Sequence, residues 1–114
     1  MDTTKLQQWF DTAWAGLKSQ GWAKSADSWK CRYRGPDGLK CAVGHLMNDE
    51  EAGRCDLVNA GPKHEVFTIH GVAPSADEVG FLRDLQKAHD IADGGEGMQS
   101  LMRAVAEAYG LAVP

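Results

Sequence analysis

Three stretches of this chain repeat core-type residues at the spacing of one helical face. Leu6, Trp9, Phe10, Ala13, Trp14 and Leu17 form the first, Val79, Leu82, Leu85, Ala88, His89 and Ala92 the second, and Met98, Leu101, Met102, Val105, Ala108 and Tyr109 the third. An i, i+3, i+4, i+7 pattern buries one side of a helix, so the three stripes need a shared core. With 114 residues there is room for one core and not two, and a single domain over residues 1–114 is expected. The punctuation agrees: Thr3 or Thr4 can cap the first helix and Gly21 end it, while Ser75 and Glu78 form a capping box for a helix over about 76–92. Gly94, Gly95 and Gly97 separate that helix from the last, which Gly110 closes; the four residues beyond are expected to fray. Asn48 with Glu51 three residues on marks a further short helix, to about Ala60, stopped by Gly61-Pro62.

Between the first two helices the period changes. Trp29, Cys31 and Tyr33 alternate with Lys30, Arg32 and Arg34, and after Gly35-Pro36-Asp37-Gly38 the alternation resumes in Leu39, Cys41 and Val43. A period of two around such a turn predicts a β-hairpin, with Gly38 taking a positive φ. Residues 65–69 could supply a third strand. The expected fold is therefore α+β: an N-terminal helix, the hairpin, then two or three further helices packed on one sheet face. Pairing Gly35 with Leu39 puts Cys31 and Cys41 diagonally on the inner face, ~7 to 8 Å apart, and leaves Lys30, Arg32, Arg34 and Lys40 on the outer face.

The charge is uneven. Residues 1–40 carry seven Lys/Arg against four Asp/Glu, and residues 41–114 carry five against twelve, for a net charge of −4. An acidic chain of this kind is a poor duplex-DNA binder, though the cationic hairpin face leaves a weak nucleic-acid contact as one alternative. No apolar run approaches the ~18 residues a membrane span requires, and the N-terminus has no export signal, so a cytoplasmic protein is expected. Three cysteines in such a chain are expected to stay reduced.

The segment Cys31-Arg32-Tyr33-Arg34-Gly35-Pro36-Asp37-Gly38-Leu39-Lys40-Cys41-Ala42-Val43-Gly44-His45-Leu46, with Phe81-Leu82-Arg83-Asp84-Leu85-Gln86-Lys87-Ala88-His89-Asp90 and the closing Val105 to Leu111, resembles a family of small bacteriophage and prophage proteins without assigned function. His45 departs from the family's cysteine, and residues 60–72 match nothing in it. The resemblance implies a phage or prophage origin rather than a chemistry; together with the small size, the lack of a catalytic motif and the uneven charge, it leads to the expectation of a non-enzymatic accessory protein of the bacterial host cytoplasm that binds a host protein and modulates or inhibits it. The basic residues Lys30, Arg32, Arg34 and Lys40 would then face an acidic surface on that partner.

Two further readings compete with this one. Cys31, Cys41, His45 and His89 are the sulfur and nitrogen donors of a possible structural zinc site, which would staple a small domain, although a Cys-x9-Cys spacing lacks a zinc knuckle. Buried thiols and a hydrogen-bonded His89 are the plain alternative, with no cofactor. Cys41 with a nearby imidazole (His45, His64, His70 or His89) could instead form the nucleophile and base of a hydrolase, which needs a lowered thiol pKa. The His89-Asp90 doublet lacks the additional ligands of a metal phosphohydrolase, and the glycine-rich turns lack a phosphate-binding lysine.

Overall fold

The capping signals place two of the helices well, whereas Gly94, Gly95 and Gly97, expected to separate the last helix from the one before it, lie within its first turn. The computed structural model describes residues 3–25 and 32–114. Helix α1 spans Thr3–Ser19, α2 Asp49–Val58, α3 Ala76–Asp90 and α4 Gly94–Ala108, with short 3-10 turns at Pro36–Gly38 and Val43–Leu46. Both expected capping boxes are present: Asn48 accepts from the Glu51 N–H and Ser75 from the Glu78 N–H, while each glutamate reaches back to the amide of its cap. Leu6, Phe10, Leu17, Leu82, Leu85, Met98 and Met102 are fully buried, so all three stripes face one core. α3 packs on α4, and α1 packs on the Val43–Leu46 turn.

The aromatic stripe of α1 is spent on the core. Phe10 stacks on Trp14, Trp14 meets Trp22 edge-on, and Trp9 stacks on Phe81, which in turn meets Tyr109 edge-on. Such pairs add modestly to the burial of their area. Gly16 lets the Val43–Leu46 turn approach α1, because a Cβ there would fall 2.3 Å from Nδ1 of His45.

The α+β expectation is overturned: the structure is all-helical, and the described residues form no strand and no sheet. The turn is nevertheless made as its residues suggest. Gly35 N–H donates to the Leu39 carbonyl at 2.8 Å, Gly38 takes φ +75°, and Arg34 and Lys40 form one antiparallel bridge. The ladder stops there because side chains take the backbone groups a partner strand would need. Asp56 accepts the N–H groups of Tyr33 and Arg34, both at 3.0 Å. Gln20 accepts from the Lys40 N–H at 3.1 Å and donates to the Lys40 carbonyl at 2.7 Å. The Arg34 guanidinium donates to the carbonyls of Tyr33, Gly44 and Met47. After Cys41 and Ala42 the chain enters the 3-10 turn, so the second strand never forms. Residues 65–69 likewise yield only an Ile69–Val72 bridge across a tight turn.

The C-terminal tail does not fray as expected. Gln7 donates to the Ala112 carbonyl and accepts from the Ala112 N–H, at 2.9 and 2.8 Å, tying residue 112 to α1. No helix of the described residues is long and apolar enough to cross a membrane.

Candidate functional site

A cleft of about 760 Å3 opens between α2 and α3. On the α2 side the chain turns at Asn59, which takes the left-handed conformation (φ +55°), and runs on through Ala60, Gly61 and Pro62. The Tyr33 hydroxyl donates to the Ala60 carbonyl at 2.7 Å, so this wall is tied to the segment that carries Arg32. Burial, with smaller contributions from neighbouring thiols and carboxylates, pushes the Tyr33 phenol far above its ordinary value; it stays a neutral donor. The α3 side presents Arg83, Asp84, Lys87, Asp90 and Ile91.

The cleft holds three carboxylates and three cations, and the two sets differ in how they are engaged. Asp56 holds two backbone N–H groups, as described above. Asp84 accepts the Tyr109 hydroxyl at 2.6 Å, and Asp90 accepts Gln86 Nε2 at 2.7 Å and lies 3.0 Å from His89 Nδ1. Arg32 is half-buried and has a partner within the chain. Arg83 and Lys87, one turn apart on α3 and exposed, make no hydrogen bond or ion pair among the described residues. Ile91, one turn further, is 57% exposed. Arg83, Lys87 and Ile91 thus form a row at i, i+4 and i+8 along the cleft.

The residues singled out from the sequence are dispersed. Lys30 and Cys31 lie outside the described residues. Arg32 lines the cleft, whereas Arg34 turns inward to its three carbonyls and pairs with Asp49 at 2.9 Å. Lys40 is half-buried and pairs with Arg34 in the bridge. With no sheet there is no common outer sheet face for these cations.

The expected zinc ligands Cys41, His45 and His89 are engaged separately rather than as a ligand set. Among the described residues no group of three or more Cys, His, Asp or Glu could hold an ion. His89 is fully buried, and its Nε2 accepts the Ser25 N–H at 3.2 Å, which places its own proton on Nδ1, toward Asp90. Cys41 is also fully buried; desolvation pushes its thiol up to about 12, outweighing the bond from the Gly44 N–H. That is opposite to what a nucleophile needs. Cys55 is buried and its thiol is raised too, first by desolvation. Burial lowers the His45 imidazole to about 4, helped by Lys40, Arg34 and His89, and its Nε2 is buried without a hydrogen-bond partner among the described residues.

The chain matches no family model, no curated protein and no solved structure. The site therefore stands on its geometry alone. Of the cleft cations the sequence reading singled out Arg32 but not Arg83 and Lys87, which with Ile91 sit on the polar side of α3, opposite its apolar stripe. Their i, i+4, i+8 spacing was the signal available.

Proposed function

We propose that this chain is a small non-enzymatic binding protein of phage or prophage origin that docks a host bacterial protein through the α2–α3 cleft and modulates it in the host cytoplasm. The observation that carries this reading is the cleft itself: a large open depression whose α3 wall offers cations without partners and an exposed isoleucine. Exposed apolar side chains beside polar, uncommitted groups are the usual material of a protein interface. The buried, raised thiols supply no activated nucleophile, which leaves a cysteine hydrolase without support from the described residues. The resemblance of the turn segment to small phage proteins supplies the kind of partner, and the basic residue Arg32 keeps its place in the reading at the cleft wall.

Gly80 gives a clean test. It lines the cleft, and a Cβ there would meet only the Tyr109 hydroxyl, at an ordinary 3.9 Å, so a side chain can start from this position, and Gly80→Trp is compared with wild type once its circular dichroism and melting temperature match. The wild-type chain, immobilised in bacterial lysate, is expected to retain a stoichiometric protein partner that Gly80→Trp loses. Recovery of no partner, or equal recovery by both forms, would contradict the reading.

A further inference from the structure

We infer that the exposed face of α3 pairs with the same face of a second copy of this chain, the two helices running antiparallel. The inference goes beyond the docking function and does not rest on it. Gly80, Asp84, Lys87 and Ile91 stand four, three and four residues apart, the spacing of a coiled-coil seam. Asp84, Lys87 and Ile91 are exposed and edge both the α2–α3 cleft and a second groove, of about 230 Å3, against α4. The row is therefore a ridge with a groove on either side, the form in which one helix seats on another.

The ridge is complementary to its own reverse. In a two-fold pair, every contact of one residue with another is repeated with the two copies exchanged. With the axis midway between Asp84 and Lys87, Asp84 of each copy faces Lys87 of the other, and Ile91 of each faces Gly80 of the other. Gly80 offers a notch without a side chain, and Ile91, 57% exposed, supplies the side chain that fills it. Arg83 and Asp90 flank the seam on the cleft side, one heptad apart, at the position whose charges set helix orientation. In the same register Arg83 of one copy meets Asp90 of the other, whose carboxylate has room for donors beyond Gln86. One arrangement thus matches two charge pairs and the small–large pair, and a face without net charge is what self-pairing of this kind requires. A parallel pairing would set Asp84 against Asp84 and Lys87 against Lys87, like charge on like. Because this face also lines the cleft, a docked host protein would displace the second copy.

Sedimentation of the purified full chain over a range of concentrations tests the pairing with no host protein present, so its outcome is separate from that of the docking function. Wild type is expected to dimerise reversibly. Asp84→Lys and Lys87→Glu each bring like charges together at two symmetry-related contacts and should weaken the dimer about tenfold. An equimolar mixture of the two variants should recover it, because one chain then carries both cations and the other both carboxylates. Mixing would not repair a fold damaged by either substitution. Isotope-filtered NOEs between labelled and unlabelled wild-type chains should join Ile91 of one copy to Gly80 of the other, a measurement that needs no variant. A wild-type chain that stays monomeric at its highest soluble concentration overturns the inference, as does a dimer without the Ile91–Gly80 contact. So do folded single variants that dimerise as wild type does, or that stay weakened in the mixture.

Discussion

A carboxylate buried to 3% exposure needs donors on both oxygens, and Glu51 finds four: the N–H groups of Asn48, His70 and Gly71 and the hydroxyl of Thr68. It caps its own helix and pins the 68–71 turn to α2 at once. Desolvation would raise its pKa, but these bonds prevail and hold it down to about 2. With the folded value below the unfolded one, the stabilisation is complete above about pH 4.5 and is lost as pH falls toward 2. Glu51→Gln keeps the shape but cannot accept all four bonds, and is expected to cost about 1 to 3 kcal/mol at pH 7. Urea unfolding at pH 7 and pH 3 checks this: the difference from wild type should shrink at the lower pH. His45 acts in a higher window. The unfolded chain takes up its proton near pH 6.5 and the native one only near 4, so stability rises with pH across that interval. His45→Gln should flatten the stability profile between pH 4 and 6.5, measured by the same unfolding series; an unchanged slope would show that the imidazole is not held neutral.

At the scale of elements, the segment from Arg32 to Leu46 shows why local period and final structure part company. Its alternation and its Gly-Pro-Asp-Gly turn are legible, and the turn forms with the expected Gly35–Leu39 bond. What the alternation cannot reveal is who receives the backbone N–H groups, and here the recipients are Asp56 of α2 and Gln20, just past the end of α1. Arg34, which reads as an outward cation, fastens the carbonyls of Tyr33 and Gly44 within the segment and of Met47 just beyond it. Asp56→Ala should therefore strand two amides and cost about 2 to 3 kcal/mol, more than a surface aspartate would, by chemical denaturation. A loss under half a kcal/mol would mean that water replaces the carboxylate. The helices were easier to read, since Asn48/Glu51 and Ser75/Glu78 carry their caps within four residues and the stripes of α1, α3 and α4 need only their own spacing. The candidate site was the least legible part. The cleft brings Asp56 of α2 opposite Arg83, Asp84, Lys87 and Asp90 of α3, a meeting of two helices that the spacing within either one does not announce.

At the scale of the molecule, two faces of α3 divide the labour. Its apolar side, with Phe81, Leu82, Leu85 and Ala88, closes the core against α1 and α4. Its polar side faces the cleft and contributes the row Arg83, Lys87, Ile91. The aromatic residues that would otherwise suggest docking through α1 are stacked into that core, and the docking surface proposed above is instead the opening between α2 and α3. Amide chemical-shift mapping on the labelled chain tests this most directly, with the captured host protein added stepwise. The account predicts that shifts concentrate in residues 55–62 and 80–91; shifts confined to α1 and the outer face of α4, with the cleft silent, would contradict it.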